Sequence, residues 1–176
     1  MNYTYETERL ILRPASADDA DLLLKSMNTD EFIRFVGDRN VRTLEQARNY
    51  IAEKHLPQIE RLGYGNFTII EKSSGNKIGG CGLFHRDGLE VVDIGFSFLP
   101  EYYGKGFGYE SASRILKAGF EDFGLSAVSA ITVKENIASQ KLIEKLGLTF
   151  RKIVHLPNDP ADLLYYEISK EEFLKL

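Results

Sequence analysis

At 176 residues, with 43% apolar and 27% charged side chains, the chain has the size and composition of one globular domain with a sizeable core. A net charge of −4 argues against a nucleic-acid-binding surface as the main role, while leaving room for a local anion site or a basic or amine partner. Cys81 stands alone, which excludes an internal disulfide and suits a reducing compartment. The opening Met1-Asn2-Tyr3-Thr4-Tyr5-Glu6 does not have the basic-then-apolar pattern of a signal peptide. No stretch approaches the roughly 20 apolar residues that span a bilayer. The expectation is a soluble, cytoplasmic chain with no membrane partner.

In chain order, Glu8 to Arg13 reads as a first strand closed by Pro14. Ser16 is placed to cap a helix with Ala20, Leu23, Leu24 and Met27 on one face. A short helical piece covers Thr29 to Val36. Thr43 and Gln46 form a capping-box pattern, and the helix that follows should be kinked or divided by Pro57. From Tyr64 the period becomes strand-like: Tyr64 to Lys72, a turn at Ser73-Ser74-Gly75-Asn76, Lys77 to His85, then Leu89 to Leu99. In that third strand Ile94, Phe96 and Phe98 share one face, and Asp93, Gly95 and Ser97 the other.

A helix is expected from the glycine-rich segment at 104–108 to about Asp122, then a strand over Ala127 to Val133. Asn136 is placed to cap a helix with Ala138, Leu142, Ile143 and Leu146 inward, and Gly147 to end it. Two final strands, about Phe150 to His155 and Leu163 to Ile168, complete the chain. The predicted class is α+β, one domain over residues 1–176: a mixed, mainly antiparallel sheet with helices on both faces and a central βαβ unit.

The segment that carries chemistry is Tyr103-Gly104-Lys105-Gly106-Phe107-Gly108. Three glycines at alternate positions let a ligand approach the backbone. They stand where a helix has unpaired N–H groups and a positive dipole end, which favours a phosphate or pyrophosphate. A Walker A loop is excluded because no Gly-Lys-Ser/Thr follows at the required spacing. The G-x-G-x-G spacing after three strands also fits a dinucleotide fingerprint poorly. A glycine-rich turn with no ligand is the competing reading.

The stretch Asp93-Ile94-Gly95-Phe96-Ser97-Phe98-Leu99-Pro100-Glu101-Tyr102-Tyr103-Gly104-Lys105-Gly106-Phe107-Gly108-Tyr109-Glu110 closely resembles the acetyl-CoA motif of the GNAT (Gcn5-related N-acetyltransferase) superfamily. Asn136-Ile137-Ala138-Ser139 and Glu144-Lys145-Leu146-Gly147-Leu148 resemble that family's Asn-x-x-Ser and Lys-x-Gly-Phe segments. Thr7-Glu8-Arg9-Leu10-Ile11-Leu12-Arg13 and Ile78-Gly79-Gly80-Cys81-Gly82-Leu83 resemble the branch that contains the ribosomal-protein N-terminal acetyltransferases. Two positions depart from the pattern: Tyr103 replaces a frequent Gln or Arg, and Leu148 replaces the usual Phe.

The resemblance implies acetyl transfer from acetyl-CoA to an amine in a ternary complex. It places the pyrophosphate on backbone amides of Gly104, Lys105, Gly106, Phe107 and Gly108, and the pantetheine arm along exposed backbone near Phe98 and Leu99. Asn136 would also contact that arm, and Ser139 would donate to the departing thiolate. Asp93 occupies the position of a strand glutamate that serves as base in many relatives; the alternative is a carboxylate on a solvated strand face. Glu110 either favours the helix dipole or borders the acceptor site. Lys105 is a further charge at the site or a solvated loop lysine. His85 and His155 are bases that the sequence does not place, Cys81 reads as a packing residue, and no Cys/His cluster suggests a metal.

A protein N-terminal α-amine is the first expected acceptor, and a small amine (polyamine, amino-acid derivative or aminoglycoside) the second. A non-catalytic acyl-CoA-binding module is the competing class. Many members of the family pair as homodimers, an arrangement these residues leave open.

Overall fold

The computed structural model describes residues 3–176, so the first two residues of the N-terminal stretch read above lie outside the described part. Two short N-terminal strands, β1 (Tyr5–Glu6) and β2 (Leu10–Pro14), lead into a 3-10 turn (Ala17–Asp19) and helices α1 (Ala20–Met27) and α2 (Asp30–Phe35). Helix α3 (Leu44–Tyr50) passes through a π-helical turn (Ile51–His55) into α4 (Leu56–Leu62). Pro57 lies in the first turn of α4, directly after the π-helical turn, so the expected irregularity falls just before it while the chain stays helical from α3 into α4. Thr43 caps α3 by accepting from the Gln46 amide, but the Gln46 side chain accepts from Arg42 rather than closing a capping box.

Strands β3 (Asn66–Glu71), β4 (Lys77–Phe84) and β5 (Asp93–Phe98) form the meander. Helix α5 (Phe107–Glu121), β6 (Ala127–Val133) and α6 (Ile137–Lys145) follow. β7 (Thr149–Val154), β8 (Leu163–Ser169) and a terminal turn of helix, α7 (Lys170–Phe173), end the chain. The eight strands run in the order β1-β2-β3-β4-β5-β6-β8-β7, with β5–β6 the one parallel pair among them. The architecture is the expected mixed, mainly antiparallel sheet.

The third strand is shorter than expected. Asp93 pairs with Phe84, the last residue of β4, so residues 89–92 have no neighbouring strand to extend along. They form a loop instead, and the Val92 carbonyl accepts from the Ser129 amide across to β6 (2.8 Å).

The main core lies between the sheet and α5 with α6, and includes Leu12, Phe67, Leu83, Ile94, Ile115 and Ile143. A smaller cluster (Ala20, Met27, Val41, Ala47, Ile51) holds the α1–α3 layer together, with α1 lying against β4. Asp19 fastens that layer to the sheet: its carboxylate accepts from both Arg13 terminal nitrogens (2.8 and 2.7 Å) and from Thr68 (2.7 Å). Helix α6 packs through its second half, where Ile143 and Leu146 are buried, while Ile137 and Ala138 are exposed; Ala138 is not the inward residue that its spacing suggested. No helix among the described residues is long and apolar enough to cross a membrane.

Candidate active site

β5 and β6 touch at a single pair, Asp93 opposite Ser129, and then diverge. β5 continues five residues to Phe98 and β6 four to Val133 with no ladder between them. Backbone polar groups alternate sides along a strand. The Leu99 amide donates to the Ile78 carbonyl (3.0 Å), toward β4. The alternation therefore turns the N–H and C=O of Ile94, Phe96 and Phe98 toward the gap. Phe98 offers the free backbone that the sequence suggested. Leu99 does not, because its amide is committed to β4. At about 3.3 Å per residue, the open edge from Asp93 to Phe98 is about 16 Å long.

The glycine segment closes one end of this edge. Gly104 and Gly106 have φ of +72° and +81°, which L side chains adopt only with strain. Among the described residues, none of the amides of Gly104, Lys105, Gly106, Phe107, Gly108 and Tyr109 donates a hydrogen bond. Six successive unpaired amides at the N-terminus of a 15-residue helix form an electropositive concavity. Gly108 has a different task. A Cβ there would stand 3.1 Å from Leu142 Cδ2 and 3.8 Å from Phe98 Cε2, so its bareness lets α5, α6 and the end of β5 converge. The Lys105 side chain is exposed, with its ammonium 5.0 Å from the Tyr102 ring centre.

Asn136 caps α6: its Oδ1 accepts from the Ser139 amide (3.2 Å). This leaves the two N–H donors of its side-chain amide without partners among the described residues. Ser139 is half-buried, and its hydroxyl makes no hydrogen bond to a described residue. It precedes Leu142 by three residues and so shares a face with the side chain that touches the Gly108 position.

Asp93 is buried to 1% exposure, not on a solvated face. Arg86 Nε donates to its Oδ2 (2.5 Å), and its Oδ1 has no partner. Burial pushes the carboxyl up to about 6, with the Arg86 guanidinium and, more weakly, the Ile131 backbone amide pulling the other way. Asp93 faces away from α5, whereas Ile94, Phe96 and Phe98 pack toward it. The same face carries Ser129 and Glu167, which stand opposite one another in the next strand pair. Asp93 and Ser139 thus flank the divergence from opposite sides of the sheet and make no direct contact.

Arg86 was not legible in the sequence, since a loop arginine has no periodicity that aims it at Asp93. Glu110 is largely covered, with its side chain 17% exposed. It binds Thr7 and Arg9 of the N-terminal segment, which brings that segment against the glycine loop. Of the histidines, His85 meets the Tyr64 hydroxyl (2.9 Å), and His155 is an exposed partner of Asp162. His55 is held down to about 4 by burial. Cys81 is fully buried, its thiol pushed up to about 12, as suits a packing residue. Among the described residues no group of three or more His, Cys, Asp or Glu could hold a metal.

Residues 9–149 match the family described as Acetyltransferase (GNAT) domain. The uncharacterized N-acetyltransferase YoaA of Bacillus subtilis is 30% identical over 171 residues, covering 94% of this chain and 96% of its own length. An acetyltransferase (GNAT family) from Bacillus anthracis superposes with a TM-score of 0.79 at 25% identity, covering 96% of this chain and 99% of its own. A spermidine N-acetyltransferase from Vibrio cholerae in complex with CoA and spermine shares the fold, with a TM-score of 0.78 at 17% identity, covering 96% of this chain and 99% of its own. By its domain match, its full-length relative and its fold, this chain belongs to the GNAT family of N-acetyltransferases.

Proposed function

We propose that this enzyme transfers the acetyl group of acetyl-CoA to a protein N-terminal α-amine by direct attack within a ternary complex. The observation that carries the donor half is the run of six unpaired amides at residues 104–109, joined to the open edge of β5. The pyrophosphate would sit on that concavity, with Lys105 adding charge. The pantetheine arm would lie along the gap as an added strand, reached by the backbone of Phe98 and the free Asn136 amide donors. Leu99 holds the end of the edge in place through β4. An edge of about 16 Å then carries the thioester away from the glycine loop toward the Asp93–Ser129 pair where the strands meet, between Asp93 and Ser139.

The chemistry follows from that placement. The amine must be neutral to attack. At pH 7 this costs an α-amine of pKa about 7.8 about 1 kcal/mol, against about 4.6 kcal/mol for a lysine-like amine near 10.4. Asp93, with its carboxyl near 6, is mostly ionised at pH 7 and basic enough to take a proton from the attacking nitrogen, directly or through a water. Its Oδ1, buried and outside the Arg86 contact, would take that proton once the acceptor or a water reaches it. The amine lone pair attacks the thioester carbonyl, Asp93 removes the proton, and the C–S bond breaks toward the Ser139 hydroxyl. A thiolate with pKa about 8.5 needs only that modest help.

A small polyamine is the second reading, favoured by the fold shared with a spermidine acetyltransferase. The deciding assay is acetylation of ribosomal-protein N-terminal peptides and of spermidine under identical conditions. A higher kcat/KM on a peptide, lost when its α-amine is blocked, supports the first reading. Turnover of spermidine alone replaces it with the second.

A further inference from the structure

The glycine loop is gripped from behind by a segment some hundred residues away in sequence. Glu110, in the first turn of α5, accepts from the Thr7 hydroxyl (2.6 Å), the Arg9 amide (2.9 Å) and Arg9 Nε (2.7 Å). It also pairs with Arg9 Nη2 (2.7 Å). Burial pushes the Glu110 carboxyl up, but these donors overcome that and hold it below the usual range, so it stays ionised. The remaining arm of the guanidinium, Nη1, donates to the Lys105 carbonyl (2.9 Å). The guanidinium also lies over the Phe107 ring, 4.5 Å from its centre.

The consequence is geometric. A trans peptide points its C=O and N–H in opposite directions. By holding the Lys105 carbonyl, Arg9 turns the Gly106 N–H away from itself. Without that hold, the Lys105–Gly106 peptide is free to rotate and present its carbonyl to the ligand, where it would repel a phosphate. A Cβ at Gly106 would face the guanidinium, 3.4 Å from Arg9 Nη2, with nothing else within 4 Å, so it is the φ of +81° that requires glycine there.

We infer that Arg9, locked by Glu110 and Thr7, is a positioning residue that sets the amides of residues 104–108 for the pyrophosphate before the ligand arrives. The inference rests on the acetyl-CoA reading above. It concerns preorganisation of the loop, not a contact with the ligand. The rigid guanidinium fork matters more than its charge, because it must satisfy Glu110 and the Lys105 carbonyl at once.

The test is calorimetric titration of acetyl-CoA into wild type, Arg9→Met, Arg9→Lys, Glu110→Gln and the Arg9→Met/Glu110→Gln double variant. Unliganded Tm and steady-state kinetics are measured alongside. Arg9→Met and Glu110→Gln should each weaken binding on the order of tenfold. The double variant should lose little more than the worse single one, because both break one coupled unit. KM for acetyl-CoA should rise while the acceptor KM is kept. Arg9→Lys should restore Tm but not affinity, and the losses should be alike at low and high salt. Wild-type affinity in Arg9→Met overturns the inference. So does full rescue of both properties by Arg9→Lys, or a loss that fades with salt, which would mark a direct ionic contact. If wild type itself does not bind acetyl-CoA, the donor reading falls and the inference falls with it.

Discussion

Replacing Asp93 by Asn tests the base assignment through two independent signs. Asp93 is 1% exposed, and burial moves its carboxyl from 3.8 to about 6. At about 1.4 kcal/mol per unit, this shift amounts to about 3 kcal/mol against ionisation in the folded protein. Between those two values the native state binds more protons at Asp93 than the unfolded state does. Its contribution to stability is therefore greatest below about pH 4 and falls as pH rises through about 6. Asn cannot ionise, so the variant should lose this part of the pH dependence of Tm. Catalysis runs the other way. A base must be deprotonated, so wild-type kcat should climb with pH through about 6, apart from any limb set by the amine nearer 8. Asp93→Asn should lower kcat by about 10²–10⁴-fold and erase the limb near 6, leaving the amine's limb. The assay is a pH profile of kcat at saturating donor and acceptor, with thermal melts over the same range. A variant that keeps the limb near 6, or keeps wild-type kcat, would refute the assignment.

Gly106→Glu should abolish acetyl-CoA binding, because it puts a side chain at φ +81° and a carboxylate beside Arg9, 3.4 Å from Nη2 at its Cβ, where it competes with Glu110 and disturbs the loop. The control is Gly124→Glu in the turn after the far end of α5, at φ +67° with open space around its Cβ position, which should bind normally. Equal affinities in calorimetry would remove the proposed pyrophosphate site. Ser139→Ala should lower kcat more than it weakens acetyl-CoA binding, since the hydroxyl is proposed to meet the leaving sulfur rather than the bound ground state. Parallel losses in both would make it a binding residue.

The elements that run on local signals were readable in the sequence. β6 falls at Ala127–Val133 as expected, because β-branched residues, a preceding glycine turn and a following asparagine cap all agree. Asn136 and Thr43 cap their helices for the same local reason. What depended on distant partners was not readable. The Leu89–Val92 stretch has strand composition but no strand beside it, so it stays a loop. β8 inserts between β6 and β7, an order set by sheet packing rather than by either strand's pattern. The same division holds at the site. The glycine loop announces itself, whereas the burial of Asp93, its partner Arg86 and the Glu110–Arg9 grip each arise from segments brought together only by the fold. Leu99 shows what one hydrogen bond decides: the family resemblance implied exposed backbone near Phe98 and Leu99, but strand parity turns the Leu99 amide to β4.

The proposed donor site consists of the amides of residues 104–108 and the open edge of β5, which would together hold acetyl-CoA. Isothermal titration of the purified protein with acetyl-CoA, with NAD and ATP as controls, tests it most directly. One-site binding of acetyl-CoA with micromolar affinity, and no binding of the controls, is expected. Absence of acetyl-CoA binding, or equal binding of ATP, would contradict it.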